Sequence, residues 1–402
     1  MINKSNIYIY IGAFISQIVT LFVSLIVLKY IAPKTYGEFS YIVAIGSVIG
    51  SIVTLKFEQA ITISENEEKS LDKLIITLQT SFVLTLLSLP FIYFFGNVSP
   101  LQILFIFLIS FSIGANASLQ QFYLFTNKHK LNALLSVSIS ILNLFFLYFI
   151  YRYNQGLLYA YAFSYFVATG MFLIYTYFNI SKYSLLSVKK YKEIFYENIS
   201  FPKHVLPSAL ITIFLLYGNP IILKYIFSEH EVGVFMFSMR ILMLPVILVS
   251  AVSSGIFKAK MSKLYIGKEE SLFNKEKKKM LLFLFISMVV LYPILLVAIF
   301  NINYFFDASK WVELKLVSIY LIFYVCAQFV YIPFSNLPLI LNKSKLILSS
   351  NVFLLLILLL IYLFSYILKI NLNTFLLMFT ISNVLFSVYY IVVFYNLKFS
   401  KN

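Results

Sequence analysis

Long apolar runs separated by short polar segments fill the sequence from one end to the other. A helix needs roughly 20 mostly apolar residues to cross a hydrocarbon core of about 30 Å. Lipid offers no partner for an unpaired backbone N–H or C=O, so runs of this length predict membrane-spanning α-helices. Polar interruptions divide the chain into twelve candidate spans, near residues 7–31, 38–55, 71–96, 101–125, 131–151, 156–178, 204–227, 233–257, 280–300, 311–341, 346–368 and 374–397.

The composition excludes a chain of ordinary water-soluble domains. Hydrophobic residues make up 61% of the sequence and charged residues 11%, whereas soluble domains contain about 45–50% and about 25%. The single cysteine, Cys326, has no partner for a disulfide within the chain. The sequence therefore predicts an all-α polytopic membrane protein.

The distribution of basic residues predicts the orientation of the spans. The net charge of +16 is carried mostly by lysines in the segments between apolar runs, which argues for anionic lipid headgroups and against nucleic acid as the partner. With the N-terminus in the cytoplasm, 23 lysines fall on the inner side and seven lysines and arginines on the outer side. Because inner segments are enriched in Lys and Arg, both termini are predicted to be cytoplasmic.

A short internal repeat predicts two parallel six-helix halves. The segment Lys29-Tyr30-Ile31 with Gly37-x-Phe39 matches Lys224-Tyr225-Ile226 with Gly233-x-Phe235, after spans one and seven. Both halves then begin in the cytoplasm, as in transporters that carry their substrate between two halves. We expect an N-terminal half over 1–180, a cytoplasmic linker over 181–203 and a C-terminal half over 204–402. The linker is predicted to be either an amphipathic interfacial helix or a solvated connection.

The sequence lacks the residue patterns that metal binding, nucleotide binding and nucleophilic catalysis require. The two aspartates, Asp72 and Asp307, are far apart, and the three histidines are scattered without metal-ligand spacing. No phosphate-binding Gly-x-x-x-x-Gly-Lys and no Gly-x-Ser-x-Gly is present. We therefore expect no cofactor, no metal and no enzymatic activity. All fifteen acidic residues fall at span ends or in loops, which disfavours a cation-coupled carrier, although Glu38 and Glu58 near the ends of span two keep it open.

One permanent charge lies within a span. Arg240 is seven residues past Gly233, roughly 10 Å inward at 1.5 Å per residue. A cation at this depth is costly and usually faces a cavity, so Arg240 is the first candidate for binding an anionic substrate. The alternative is an arginine that reaches the interface or caps a helix end.

Other basic and polar residues are weaker candidates. Lys224 and Lys29 occupy equivalent positions of the repeat near outer span ends, and Lys56 is placed to meet a phosphate from the cytoplasm; interfacial or topogenic roles compete for all three. Uncharged polar residues at span depth are candidates for binding sugar hydroxyls or for tying helices together. The members chosen for the substrate path are Gln17, Asn116, Gln120 and Gln328.

In several short motifs the chain resembles the Wzx-type polysaccharide flippases of the multidrug/oligosaccharidyl-lipid/polysaccharide exporter superfamily. Four stretches in the family's order carry the resemblance. They are 32–39 (APKTYGEF); 55–61 (LKFEQAI) with the acidic 65–68; Phe201-Pro202, Gly218-Asn219-Pro220, Glu231-Val232-Gly233 and Met239-Arg240-Ile241 up to Pro245; and Phe306, Trp311 and Leu341-Asn342-Lys343.

The resemblance implies two six-helix bundles that form a V and open alternately to each side of a bacterial cytoplasmic (inner) membrane. It implies transfer of undecaprenyl-pyrophosphate-linked oligosaccharide repeat units to the outer leaflet for surface polysaccharide such as O-antigen or capsule. A polysaccharide polymerase and a chain-length regulator are then the expected protein partners. Flippase cavities of this kind are often rich in Arg and Lys, whereas here only Arg240 lies deep in a span.

Two other functions stay open on the sequence. A membrane-embedded polysaccharide polymerase or acyltransferase would need a reactive cluster or a long outer loop, and the longest predicted outer loop covers only about 301–315. A cation-coupled small-molecule antiporter of the same fold would need a carboxylate within the membrane.

Overall fold

Sixteen α-helices, two π-helical turns and one 3₁₀ turn, with no β-strand, make up the regular structure of the described residues. The computed structural model describes residues 4–96, 98–153, 155–179, 188–302, 309–341, 343 and 345–397. Part of the predicted linker (181–187), together with Phe306, Asp307 and Asn342, lies outside them. An all-α polytopic membrane protein is thus confirmed.

The helices are numbered in chain order. The first eight are α1 (Lys4–Tyr30), α2 (Pro33–Ile52), α3 (Glu58–Ile61), α4 (Glu67–Phe95), α5 (Pro100–Phe125), α6 (His129–Ile150), α7 (Gly156–Asn179) and α8 (Val188–Glu197). The next eight are α9 (Leu206–Ile226), α10 (Glu229–Leu242), α11 (Val252–Ile266), α12 (Glu270–Phe300), α13 (Leu314–Phe334), α14 (Leu337–Ile340), α15 (Lys345–Leu368) and α16 (Leu372–Tyr395). The π-helical turns are Phe201–Val205 and Val246–Ala251, and the 3₁₀ turn is Ser309–Trp311.

The chain forms two compact units. The first contains Met1–Ile31 and Glu38–Ile221, and the second contains Ala32–Gly37 and Ile222–Asn402. In the first unit α6 packs against α1 and α7, and α5 packs against α4 and α7. In the second unit α13 packs against α10, α12 and α16. The division of the chain into halves at 181–203 stays a prediction.

Ten helices among the described residues are long and apolar enough to cross a membrane. The pair Glu229–Leu242 and Val246–Ile266, bent by 43°, provides an eleventh candidate. The difference from the twelve predicted spans lies in α2, which corresponds to the span expected at 38–55. This helix has 20 residues, but its first turns contain Lys34, Tyr36 and Glu38, and it is not among the ten.

Small residues let α2 lie directly on α5 in the first unit. A Cβ atom added at Gly46 would lie 2.7 Å from Cγ2 of Ile109, and one at Gly50 would lie 2.8 Å from the carbonyl oxygen of Ser110. The hydroxyl of Ser110 donates to the carbonyl oxygen of Gly46 at 3.1 Å. Close approach through small residues, secured by a serine, is a common way for helices to associate in lipid.

The described part of the linker is a helix that packs on the first unit. Tyr191 of α8 shares a hydrogen bond with Thr80 of α4 at 2.8 Å between the hydroxyl oxygens. Lys190 pairs with Asp72 at 2.8 Å. The ring of Phe195 packs edge-on against Phe57, 5.2 Å between centroids. Residues 188–197 of the predicted linker therefore form a helix that packs on α4, and its position at the membrane interface stays a prediction.

Candidate functional site

Two glycines bring the first turns of α2 and α10 into direct contact within the second unit. A Cβ atom at Gly37 would lie 2.0 Å from the carbonyl oxygen of Glu229, and one at Gly233 would lie 1.8 Å from the carbonyl oxygen of Pro33. Gly37 thus lies against the carbonyl group of Glu229, four residues before Gly233. Gly233 lies against the carbonyl group of Pro33, four residues before Gly37. The two positions that the repeat aligns in sequence therefore also meet in space. We call this contact the glycine crossing.

The sequence around α10 fixes where the helix begins and ends. The hydroxyl of Ser228 accepts from the backbone N–H of Glu231, and the carboxylate of Glu231 accepts from the backbone N–H of Ser228. This capping box satisfies free N–H groups at the helix start. The helix stops at Leu242, shortly before Pro245, whose ring nitrogen cannot donate a hydrogen bond. Arg240 therefore lies in the last turn of α10, just before the bend.

Arg240 lies about 16 Å along the axis from the start of α10, at 1.5 Å per residue. It is half-buried. Its Nη1 atom donates to the hydroxyl oxygen of Tyr36 at 3.4 Å, and no carboxylate of the described residues forms an ion pair with it. A guanidinium with a neutral partner retains donors for an incoming anion. The helix dipole stabilises a cation at the C-terminal end of a helix by about 0.3–1 kcal/mol, which partly offsets the cost of burying Arg240.

Three aromatic side chains, one of which is the Tyr36 ring that Arg240 contacts, pack against one another. The rings of Phe237 and Trp311 lie 4.4 Å apart between centroids. Tyr36 meets Phe237 at 5.2 Å and Trp311 at 6.0 Å, both edge-on. All three are at least nine-tenths buried. We call Tyr36, Phe237 and Trp311 the aromatic cluster. It fixes the phenol that Arg240 contacts, and it links residues 36, 237 and 311 into one packed group.

An exposed ion pair lies at the edge of the glycine crossing. Lys34 and Glu229 are 3.7 Å apart, with 67% and 32% of their side chains exposed. Because solvent screens such a pair, replacing Lys34 with alanine is expected to change the free energy of unfolding by about 0–1 kcal/mol. Thermal unfolding of the purified protein at low and high salt would measure this. A larger, salt-independent loss would show that Lys34 contributes through packing.

A second charged group lies at the turn between α2 and α3 in the first unit. Nζ of Lys56 is 3.4 Å from Oε1 of Glu58, with 15% and 8% of the two side chains exposed. Oε2 of Glu58 has no hydrogen-bond partner among the described residues. Lys56, a candidate for meeting phosphate, is thus paired with a carboxylate that is almost fully buried.

The remaining sequence candidates lie at separate places. Lys29 is exposed, with its ammonium group 5.2 Å from the centre of the Tyr30 ring. Lys224, Gln17 and Gln120 are half-buried on α9, α1 and α5. Lys29 belongs to the first unit and Lys224 to the second. Their assignment to the substrate path stays a prediction.

Two of the amides tie helices together. The side-chain oxygen of Asn116 accepts from the hydroxyl of Thr169 at 3.1 Å, which joins α5 to α7. The amide nitrogen of Gln328 donates to the hydroxyl of Ser387 at 3.3 Å, which joins α13 to α16. Nδ2 of Asn116 has no partner among the described residues, so this side chain retains one polar group for another contact.

Sequence reasoning missed Tyr36, and it named Glu58 only as an acid near a span end, without predicting its burial. Tyr36 lies in a stretch that carries the family resemblance, and its position before the repeated Gly37 was a signal that it lies at the contact. Glu58 has the sequence position of an ordinary acid near a span end. Only its neighbour Lys56, two positions before it, hinted at a buried pair.

Several solved structures have a fold similar to that of this chain. A multidrug resistance MATE family transporter in an inward-facing conformation matches with a TM-score of 0.65 and 16% identity, over 98% of this chain and 94% of that one. The lipid II flippase MurJ in an inward closed conformation matches with a TM-score of 0.72 and 16% identity, over 96% and 87%. This chain has the fold of multidrug/oligosaccharidyl-lipid/polysaccharide exporter superfamily transporters, which confirms the resemblance at the level of the fold.

One curated protein is similar to this chain in sequence. The capsular polysaccharide biosynthesis protein CapF of Staphylococcus aureus is 24% identical over 290 residues, which cover 70% of each chain. No protein-family model matches the sequence. The similar MATE and MurJ structures are of a transporter and a flippase, not of enzymes.

Proposed function

We propose that this protein moves undecaprenyl-pyrophosphate-linked oligosaccharide repeat units from the cytoplasmic to the outer leaflet, by alternating access, for surface polysaccharide synthesis. The membrane is the cytoplasmic membrane of a bacterium, with both termini in the cytoplasm. A polysaccharide polymerase and a chain-length regulator act next on the product. The protein performs transport and no covalent chemistry.

The proposal depends mainly on the position of Arg240 and on its hydrogen-bond partner. It is a permanent cation in the bent pair Glu229–Leu242 and Val246–Ile266, a candidate membrane span, and its hydrogen bond goes to the hydroxyl of Tyr36. A fixed cation at this depth marks a path for ions or anionic substrates. A diphosphate suits a guanidinium because two N–H groups of its fork bind two phosphate oxygens at once.

The relatives support the choice of substrate. One similar structure is a flippase for lipid II, and the curated relative acts in capsular polysaccharide biosynthesis. A lipid-linked saccharide combines a diphosphate, which a guanidinium such as that of Arg240 can bind, with sugar hydroxyls, which amide side chains can bind. The polyprenyl chain can stay in the surrounding lipid throughout the transfer.

A cation-coupled antiporter is the second candidate function, and the burial of Glu58 favours it. This acid lies near a span end in the sequence, yet it is 6% exposed and one of its oxygens has no partner among the described residues. Buried carboxylates of this kind bind coupling cations in many carriers. A flippase that uses an ion gradient would combine both features.

The lipid-linked intermediate in cells that lack the gene distinguishes these functions. We expect complete single repeat units to accumulate on the cytoplasmic side, measured by mass spectrometry after extraction, with the leaflet assigned by access of an added glycosidase. Restoring the gene on a plasmid should clear them. The same units on the outer side would instead indicate a polymerase, and an unchanged pool would indicate the antiporter.

A further inference from the structure

The ion pair at the turn between α2 and α3 is only half satisfied. Oε1 of Glu58 is 3.4 Å from Nζ of Lys56, while Oε2 has no hydrogen-bond partner among the described residues. A carboxylate this deeply buried is costly unless both its charge and its lone pairs are satisfied. Lys56 retains 15% of its side-chain surface, so it is the more accessible member of the pair.

The backbone holds the two side chains in this arrangement under strain. Leu55 and Lys56 both have a positive φ, 50° and 63°, a conformation that residues with a Cβ rarely adopt. The N–H of Lys56 donates to the hydroxyl of Thr54 at 3.3 Å. Phe57, 1% exposed, is packed against Phe195 of α8. Two consecutive residues of this kind persist only where the surroundings fix them, and they concentrate at functional sites.

Several of the other charged groups on the elements that pack around α3 have partners of their own. On α4, Nζ of Lys73 donates to the carbonyl oxygen of Ala60 at 3.0 Å. The further charged groups there form the pairs Lys69–Glu65 and Asp72–Lys190, each at 2.8 Å, beside Glu67 and Glu68 at the helix start. Helix α5 has no charged residue and only Tyr123, which bonds Thr176. Helix α8 carries Lys189, Lys190, Lys192, Glu193 and Glu197. Among the described ion pairs, Glu58 pairs with Lys56 alone.

We propose that Lys56 and Glu58 form an exchange site for a phosphate group on a lipid headgroup. The phosphate forms an ion pair with the ammonium group of Lys56, which separates Lys56 from Glu58. The carboxylate of Glu58 then takes up one proton from water. No covalent bond to the phosphate forms or breaks. The reason is electrostatic, because a buried carboxylate that has lost its only counter-charge is stabilised by protonation. The substrate class rests on the proposed function; the exchange itself rests on the geometry of the pair.

The direction of the pH dependence follows from proton linkage. The complex holds one more proton than the free protein and ligand, so affinity rises as pH falls, by up to about tenfold per pH unit. Titration of the phosphate itself acts in the opposite direction, because a less charged phosphate binds Lys56 more weakly. A variant without an ionisable group at position 58 keeps only that second effect, which makes the two separable.

The test is isothermal titration of the purified full-length protein in detergent with undecaprenyl diphosphate, in two buffers of different ionisation enthalpy near neutral pH. We expect the wild type to take up close to one proton per ligand. Glu58→Gln should take up none and should bind about tenfold tighter, because Lys56 is already free. Lys56→Met should bind at least about tenfold more weakly; each tenfold corresponds to roughly 1.4 kcal/mol.

Asp72→Asn is the matched control. It removes the same charge from a carboxylate that also pairs with a lysine, Lys190, but that is more exposed. It should keep the proton uptake and affinity of the wild type. Thermal unfolding of each variant shows whether it is folded. Even if Glu58→Gln is unstable, the wild-type measurement alone decides, since uptake near zero would overturn the exchange.

Two further ligands identify the source of the phosphate. Inorganic diphosphate and vesicles containing phosphatidylglycerol are titrated in the same way. Proton-linked binding of a lipid-borne phosphate supports the proposal, whereas proton-linked binding of inorganic diphosphate alone overturns the assignment to a lipid. If undecaprenyl diphosphate binds the wild type without proton uptake, the exchange is wrong and the flippase function stands. If it does not bind at all, the flippase function fails, and the phosphatidylglycerol arm still decides the exchange.

Discussion

Replacing Arg240 with alanine is expected to abolish surface polysaccharide while membrane insertion continues. A phosphate in a low-dielectric site would lose a charge-assisted hydrogen bond, which contributes about 1.5–3 kcal/mol. That corresponds to roughly 10- to 150-fold in affinity. Arg240→Lys should retain part of the activity because it keeps the charge but not the planar fork. The measurement is polysaccharide on intact cells at matched protein levels, together with the pool of lipid-linked intermediate.

Arg152 provides the control for this experiment, because it is the only other arginine in the sequence. It is exposed, and its Nε donates to the hydroxyl of Tyr151 at 2.9 Å. Arg152→Ala should leave polysaccharide unchanged. A role of Arg240 limited to stabilising the end of α10 would lower the melting temperature of Arg240→Ala without trapping intermediate in the inner leaflet. Normal polysaccharide in Arg240→Ala would remove this residue from the substrate path.

Replacing Gly233 with alanine is expected to disrupt the glycine crossing. The new methyl group would lie 1.8 Å from the carbonyl oxygen of Pro33, a backbone atom that cannot rotate away. The first turns of α2 and α10 must therefore separate, at a cost of about 1–3 kcal/mol. This separation also moves Tyr36, which lies next to Gly37, away from Arg240. We expect a lower melting temperature and reduced surface polysaccharide.

The paired glycine and a distant one make this prediction specific. Gly37→Ala should have a similar effect, since its Cβ would lie 2.0 Å from the carbonyl oxygen of Glu229. The double variant should cost less than the two single variants together, because the first substitution already separates the helices. Gly170 in α7 has nothing within 4 Å of an added Cβ, so Gly170→Ala should not destabilise the protein. Equal melting temperatures for Gly233→Ala and Gly170→Ala would refute the packing role.

Both predictions concern one region of the second unit. The glycine crossing sets the distance between the first turns of α2 and α10, and the aromatic cluster beside it positions the phenol that Arg240 contacts. Tyr36 belongs to both features. Changes at Gly37, Tyr36 or Gly233 are therefore expected to affect Arg240 through the position of that phenol, even though none of these three residues carries a charge.

The sequence alone determined that the chain is an all-α membrane protein, and it located most of the spans. The reason is that lipid imposes a length, an apolar composition and internal backbone pairing on every span, and all of these are local properties. Arg240 could be identified for the same reason, because a charged residue within an apolar run can be recognised from the sequence alone. Such local reasoning worked least well for α2, whose polar first turn meets α10 and not lipid.

Only the tertiary structure decided which residues meet. That Gly37 lies on Gly233, that Tyr36 reaches Arg240 and that α8 packs on α4 are contacts between positions far apart in sequence. Glu58 and Lys56 are close in sequence, yet two residues with positive φ and the surrounding helices bury the pair, and no periodicity signals this. Burial and charge pairing depend on the packing of several elements at once, which is why the sequence indicated the membrane and the charge but could not give the partners of either site.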